Sequence, residues 1–189
     1  MARIVVSQNI TLDGVVQDPT GDEGRPFGGW FNRITPADRE AWAELETAEA
    51  MNAEALLMGR RSYEYFAARW PARTGAWADR LNALPKYVVT STLDDLKWAN
   101  SVPVTADSVA KLKQSLDGDI VVNGSAQLAH TLLRNDLVDE LRLIVFPSLT
   151  GAGTRLFPEP GATRSLRLRA GRNLGDGLTF LTYEPVRDV

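Results

Sequence analysis

Short runs of apolar or β-branched residues alternate with helix-like segments along most of this sequence. Such runs favour buried strands, and they occupy residues 4–6, 55–58, 87–90, 120–122 and 141–146. Segments with helical spacing or helix-start signals follow most of them, beginning at residue 35 and covering residues 60–69, 76–82, 108–116 and 127–135. Strand–helix–strand alternation is typical of a mostly parallel sheet, because parallel neighbours need a crossover connection.

The last part of the chain has a different pattern. Residues 166–183 contain two strand-like segments around a turn at residues 173–177, which predicts an antiparallel addition to the sheet. Four arginines in and beside the first of these segments fit the wet face of a half-buried strand: Arg164, Arg167, Arg169 and Arg172. A length of 189 residues without repeats or linkers fits one domain over residues 1–189. The sequence therefore predicts a three-layer α/β domain with a mostly parallel central sheet, antiparallel C-terminal strands and flanking helices.

Composition excludes several classes of chemistry. The chain has no cysteine, which rules out disulfides, zinc ribbons, iron–sulfur ligation and thiol nucleophiles. A single histidine, His130, leaves little for a histidine metal site or a Ser-His-Asp hydrolase, so we expect no metal. A net charge of −3 and the lack of a long apolar stretch favour a soluble, cytoplasmic protein without nucleic-acid or membrane partners. A bound organic cofactor is then the expected source of chemistry.

Two strand-to-helix turns carry phosphate-binding signals. Gly124, Ser125, Ala126 and Gln127 follow the strand at 120–122 and open a helix, whose first N–H groups and dipole favour an anion. The alternative is an ordinary turn with Ser125 as N-cap.

The second turn is Gly59-Arg60-Arg61-Ser62. Two arginines at a helix start are unfavourable for the helix unless an anion lies between them, and the guanidinium group suits phosphate. The alternative is a solvated charge pair.

Two carboxylates lie beside a glycine-rich loop at residues 17–33. Asp13, in Thr11-Leu12-Asp13-Gly14, precedes the loop and is either a turn residue or a carboxylate at the mouth of a site. Asp38 follows the loop and is either part of a capping box with Thr35 or a catalytic group. The loop itself predicts a hinged cover over a ligand, with Trp30 and Phe31 in its apolar tip.

The helix that starts near Thr35 has an amphipathic pattern. The core-facing residues predicted from its spacing are Trp42, Leu45 and Ala48, and the solvent-facing residues are Glu40, Glu44 and Glu46.

Five motifs in order resemble the dihydrofolate-reductase-like family, and most closely the C-terminal reductase domain of the bifunctional riboflavin-biosynthesis deaminase-reductase. They are Thr11-Leu12-Asp13-Gly14, Leu56 through Glu64, Val121 through Ser125, Val138-Asp139-Glu140-Leu141, and Gly151 through Pro158. Pro36-Ala37-Asp38 followed by Trp42 also resembles the segment around the folate-binding carboxylate. Departures are Asn123, where a glycine is usual, and the apolar run Ile144-Val145-Phe146, where folate reductases carry a threonine.

This resemblance implies an NADPH-dependent reductase of a pterin- or pyrimidine-like small molecule, acting as a homodimer. The cofactor phosphates would be lined by Gly59, Arg60, Arg61 and Ser62, the 2′-phosphate by Ser91 and Thr92, and the pyrophosphate by Gly124, Ser125, Ala126 and Gln127. Asp13 or Asp38 would orient substrate or relay a proton. The alternatives are a dihydrofolate reductase and a non-catalytic, dimeric nucleotide-binding scaffold, because a fold alone does not fix a function.

Overall fold

The structure, a computed structural model, describes residues 1–93, 95–157 and 163–186. Pro158, the end of the last motif above, lies outside the described residues. The strands are β1 Arg3–Thr11, β2 Ala53–Gly59, β3 Lys86–Val89, β4 Ser101–Val104, β5 Asp119–Asn123, β6 Glu140–Phe146, β7 Leu166–Leu174 and β8 Leu178–Pro185. The α-helices are α1 Pro36–Asn52, α2 Arg60–Ala67, α3 Ala76–Ala83, α4 Val109–Ser115 and α5 Ala126–Arg134.

The described strands follow the order β4-β3-β2-β5-β1-β6-β8-β7. β3 is parallel to β2 and β4, and β2 is parallel to β5, whereas β8 is antiparallel to both β6 and β7. The predicted α/β fold, with a mostly parallel sheet and antiparallel C-terminal strands, is confirmed. No helix in the described ranges is long and apolar enough to cross a membrane.

The chain divides into two compact units. The first contains residues 1–6 and 45–138, and the second contains residues 7–44 and 139–189, so β1 and α1 each contribute to both. The prediction of one domain over residues 1–189 stays a prediction.

The first unit has a core of strand residues and aromatic rings. Leu56, Met58 and Val121 pack with Trp70 and Trp98, among others. This unit also contains β4, a strand that the sequence analysis missed. β4 is an edge strand with an exposed Val102 and with Pro103, which cannot donate to a ladder, so its strand signal is weak.

The second unit holds the loop at residues 17–33 in place through two anchors. Trp30 is buried, 1% exposed, and its ring lies edge-on to Phe146 at 5.1 Å between centroids. The Asp18 carboxylate accepts hydrogen bonds from the backbone N–H groups of Glu23 and Arg25, at 3.0 and 3.1 Å. Trp30 is therefore an internal anchor of the loop, and the predicted hinged cover stays a prediction.

The start of α1 agrees with the sequence analysis, but its buried face does not. Thr35 Oγ1 accepts from the Asp38 N–H and Asp38 Oδ2 accepts from the Thr35 N–H, both at 3.1 Å, which confirms the capping box. Ala48 is exposed and Glu46 is buried, so both of those predictions are wrong.

The outer strand β7 also differs from its prediction. It is exposed at every position except its last, Leu174, so it is not a half-buried strand with one wet face. The apolar side chains Leu166 and Leu168 are 38% and 54% exposed. Its position at the end of the strand order explains this exposure.

Candidate functional site

Two strand-to-helix turns of the first unit meet in space. β2 passes into α2 at Gly59, and β5 passes into α5 through Gly124 and Ser125. Since β2 and β5 are parallel neighbours, both turns lie at the carboxyl ends of their strands. The Gly59 N–H donates to Ser125 Oγ at 2.8 Å, and Ser125 Oγ donates to Ser62 Oγ at 2.6 Å. The two predicted phosphate-binding motifs are thus joined by direct hydrogen bonds.

The close approach of these turns explains their glycines. A Cβ atom on Gly59 would lie 3.0 Å from Ser125 Oγ, and one on Gly124 would lie 3.1 Å from Ser62 Oγ. Gly124 and Ser125 both have left-handed backbones, with φ of 72° and 61°. Ser125 occupies the N-cap position of α5, as the alternative interpretation predicted, but its hydroxyl makes no capping bond to the helix.

Arg60 connects α2 to the segment that follows β3. Its Nη1 donates to Thr92 Oγ1 at 3.0 Å, and its Nε pairs with Glu64 Oε1 at 2.9 Å. The Glu64 carboxylate therefore offsets part of the repulsion between the Arg60 guanidinium group and the positive end of α2, and no bound anion is needed for this.

The remaining predicted cofactor residues lie on the same segments. Arg61, in α2, Ser91, after β3, and Gln127, in α5, are exposed, and Ala126 is the first residue of α5. Unpaired N–H groups at helix starts attract anions, and guanidinium groups add positive charge. The first unit therefore combines, at the ends of β2, β3 and β5, the donors that a phosphorylated ligand requires.

In the second unit, Asp13 joins the loop after β1 to the loop after β6. Its carboxylate accepts from the Thr11 hydroxyl at 2.6 Å and from the backbone N–H groups of Gly151 at 2.8 Å and Thr150 at 3.2 Å. The Thr11 hydroxyl, and then these N–H groups, hold the pKa of Asp13 well below its usual range. Asp13 is therefore an ionised acceptor at neutral pH.

Asp38 is buried, 2% exposed, against the turn between β7 and β8. Besides the Thr35 N–H, its carboxylate accepts from the N–H groups of Asp176 at 2.7 Å and Gly177 at 2.8 Å. Burial opposes ionisation of Asp38, but these hydrogen bonds outweigh it and lower the pKa. A Cβ on Gly175 would lie 2.6 Å from Asp38, so this turn is fitted to the carboxylate.

Neither aspartate is arranged as a proton donor, because each is ionised and surrounded by donors. Their predicted roles in orienting substrate or relaying a proton stay predictions. The geometry shows what they do structurally: Asp13 joins two loops of the second unit, and Asp38 joins the first turn of α1 to the turn between β7 and β8.

Comparison with known proteins places the fold and these turns in a family. The family model described as the RibD C-terminal domain matches residues 2–180. The chain belongs to this family. The match confirms the resemblance predicted from the motifs and supports a reductase-like role.

Curated relatives of this RibD C-terminal domain include two proteins of Bacillus subtilis (strain 168). YyaP is 23% identical over 197 residues, covering 96% of this chain and 94% of the relative. YwjB is 25% identical over 172 residues, covering 89% and 90%.

Two solved structures have the same fold. A putative riboflavin biosynthesis protein from Shewanella sp. PV-4 has a TM-score of 0.65 and 22% identity, covering 99% of this chain and 100% of that one. A pyrimidine reductase-like protein from Corynebacterium diphtheriae NCTC has a TM-score of 0.62 and 13% identity, covering 99% and 93%.

One ionisable group of this RibD C-terminal domain was missed by sequence reasoning. Glu46 is 7% exposed, and burial, followed by the charge of Glu49, raises its pKa to about 8. Glu46 therefore keeps its proton at neutral pH. Helical spacing carried part of this signal, because residues four apart share a helix face, so a core-facing Leu45 predicts a buried Glu49. Glu46 and Ala50 form the next such pair, and both are buried.

Proposed function

We propose that this protein is an NADPH-dependent reductase of a pterin- or pyrimidine-like small molecule. The proposed reaction resembles that of 5-amino-6-(5-phosphoribosylamino)uracil reductase. The observation that carries the proposal is the pair of turns joined by the Gly59–Ser125 and Ser125–Ser62 hydrogen bonds. Family membership adds to it, because RibD C-terminal domains are reductase domains that typically use a nicotinamide cofactor. NADPH is a cytoplasmic reductant, so the predicted cytoplasmic location is part of the proposal.

The residues at these turns fit a dinucleotide phosphate. A Cβ atom on Gly59 or Gly124 would lie 3.0 or 3.1 Å from a serine hydroxyl oxygen, so both glycines permit the two helix starts to approach each other and to present their N–H groups to one ligand. In this proposal Gly124, Ser125, Ala126 and Gln127 hold the pyrophosphate through the start of α5.

The extra phosphate of NADPH has its own proposed partners. These are the guanidinium groups of Arg60 and Arg61 and the hydroxyls of Ser91 and Thr92. The Arg60–Thr92 hydrogen bond, at 3.0 Å, already brings two of the four together. When bound, NADPH supplies the hydride, and the protein supplies orientation and electrostatics.

The ionised state of Asp13 and Asp38 narrows their proposed roles. An ionised carboxylate accepts hydrogen bonds, so either residue would orient a substrate N–H or O–H group. Asp13 is the better candidate, because it is partly exposed whereas Asp38 is enclosed.

The function is tested by NADPH oxidation with a pterin, dihydrofolate or a ribosylamino-pyrimidinone. We expect turnover with one of them, and we expect Asp13→Asn to lower kcat/KM more than Asp38→Asn in the folded fraction. NADPH binding without oxidation of NADPH by any substrate would favour the nucleotide-binding scaffold. A lack of NADPH binding would contradict both functions.

A homodimer is also part of the proposal, as the family resemblance implies. The exposed leucines of β7, Leu166 and Leu168, support it, because exposed apolar strand residues favour association. Sedimentation should show a dimer, and a monomer at all concentrations would contradict it.

A further inference from the structure

The second unit contains a cluster of four aromatic rings that is only partly enclosed. Trp30 and Phe146 are buried, whereas Phe31 and Trp42 are half-buried. The Phe31 and Trp42 rings meet edge-to-face, with 4.8 Å between centroids and an interplanar angle of 81°. Phe31 also lies 5.3 Å from Phe146, so the partly exposed pair is supported from the core.

Phe31 is restrained on a further side. The Arg39 guanidinium carbon lies 5.3 Å from the centroid of the Phe31 ring, within the range of a cation–π contact. Contacts with Trp42, Phe146 and Arg39 together leave Phe31 few alternative positions. A restrained aromatic surface loses little entropy when a planar ligand packs on it.

Asn9 of β1 provides a polar group next to this surface. The Trp42 indole Nε1 donates to Asn9 Oδ1 at 3.0 Å. An indole N–H can only donate, so this bond fixes the amide with its oxygen toward Trp42 and its Nδ2 elsewhere. Among the residues that the structure describes, none accepts a hydrogen bond from Asn9 Nδ2.

We propose that Asn9, Phe31 and Trp42 form a subsite for a planar heterocycle with a ring carbonyl. The ring packs on the Phe31–Trp42 pair, and Asn9 Nδ2 donates to the carbonyl oxygen. This inference rests on the proposed function and deepens it, because it names the feature by which the substrate is selected. Trp42 acts as a positioning residue as well as a contact, since its indole N–H sets the direction of the Asn9 amide.

The proposal predicts that the subsite distinguishes a ring carbonyl group from an amino group at the same ring position. A site whose donor lies beside a ring carbonyl rejects an analogue with an amino group there, because two donors would face each other. Asn9→Asp keeps an oxygen for the Trp42 indole and replaces the two N–H donors by an acceptor. The selection should then invert without loss of the Asn9–Trp42 contact.

The test uses two matched probes, 5,6-diaminouracil and 2,4,5,6-tetraaminopyrimidine, which has amino groups in place of both ring carbonyls. Affinities are measured by calorimetry at alkaline pH, where the tetraamine is uncharged. We expect the wild type to prefer the diaminouracil by about tenfold and Asn9→Asp to prefer the tetraamine. Asn173→Asp, on the exposed strand β7, makes the same charge change and should leave the preference unaltered.

A second variant separates positioning from packing. Trp42→Phe keeps an aromatic ring but removes the indole N–H, so the Asn9 amide is free to turn. Both probes should still bind, with a preference reduced toward equality. An unchanged preference in folded Asn9→Asp, or a wild type that binds neither probe, would overturn the inference.

NADPH binding, measured separately on the same samples, distinguishes this inference from the proposed function. Probe binding that inverts in Asn9→Asp without any NADPH binding would leave the subsite standing and remove the reductase. NADPH binding with no probe preference would remove the subsite alone.

Discussion

The joined turns of the first unit and the aspartate-bound loops of the second unit use backbone N–H groups in opposite ways. In the first unit, a serine hydroxyl bonds Gly59 and Ser62 and leaves the start of α5 without a side-chain cap. In the second unit, carboxylates accept hydrogen bonds from the N–H groups around them, as Asp38 does from Asp176 and Gly177. A helix start without such a carboxylate keeps donors for an anionic ligand, whereas the loops of the second unit use theirs for stability.

The largest expected effect is on the stability of the second unit. Asp38→Ala should lower the free energy of unfolding by about 3 kcal/mol, because it removes a buried carboxylate that accepts hydrogen bonds from the N–H groups of Thr35, Asp176 and Gly177. The loss should appear in urea denaturation at neutral pH, and Asp107→Ala, at an exposed aspartate, serves as control.

The pH dependence of the Asp38 effect has a definite sign. Its pKa is lowered in the folded protein, so its stabilising contribution is present above the unfolded pKa, 3.8, and is lost as the pH falls through the lower, folded value. A loss of stability in Asp38→Ala no larger than in Asp107→Ala would mean that Asp38 is not the structural carboxylate described above.

The next effect concerns Glu46, whose pKa is raised rather than lowered. Between the unfolded value of 4.5 and the folded value of about 8, the folded state keeps a proton that the unfolded state has lost. Stability of the wild type should therefore fall as the pH rises through this range. Glu46→Gln removes this fall, so above pH 8 it should be more stable than the wild type, which must ionise a buried carboxyl group there.

Denaturation curves at several pH values test the Glu46 prediction. Glu54→Gln, at an exposed glutamate in β2, should keep the pH dependence of the wild type. Parallel pH profiles for wild type and Glu46→Gln would show that Glu46 ionises normally.

A smaller effect is expected from substituting glycines with a positive φ. Comparing two of them separates the close contact at the joined turns from backbone strain alone. Gly124→Ala combines a φ of +72° with a Cβ 3.1 Å from Ser62 Oγ, so it should cost about 2 kcal/mol of stability and weaken NADPH binding. Gly75→Ala also has a positive φ, but no atom lies within 4 Å of its added Cβ. It should cost about 1 kcal/mol and leave NADPH affinity unchanged. Equal NADPH affinities in the two variants would contradict the role of Gly124.

The sequence predicted the sheet and the joined turns well for a physical reason. Runs such as Val121-Val122 and the following Gly124 combine strand propensity with a chain-turning glycine, and both signals are local. The capping box of Thr35 and Asp38 is local as well. The exposed edge strand β4 was missed because Val102 and Pro103 carry no burial pattern.

Properties set by distant partners could not be predicted in the same way. The lowered pKa of Asp13 comes first from the neighbouring Thr11 hydroxyl, but it also depends on the N–H groups of Gly151 and Thr150, which lie far along the chain. The burial of Trp30 depends on its packing against Phe146. Glu46 was predicted to face solvent because a glutamate is usually charged. A buried carboxyl group can instead remain neutral, so its position on the helix decided its burial.

The central claim is that the turns of the first unit bind a 2′-phosphorylated dinucleotide. Calorimetry of NADPH and NADH on the wild type, Arg60→Ala and Arg61→Ala tests it, with Lys111→Ala, at an exposed cation of α4, as the control. We predict that the wild type binds NADPH at least about tenfold more tightly than NADH, since hydrogen bonds to charged groups contribute about 1.5–3 kcal/mol. Each variant at Arg60 or Arg61 should reduce this ratio, and Lys111→Ala should preserve it. Equal affinities for the two nucleotides in the wild type, unaffected by either substitution, would contradict the claim.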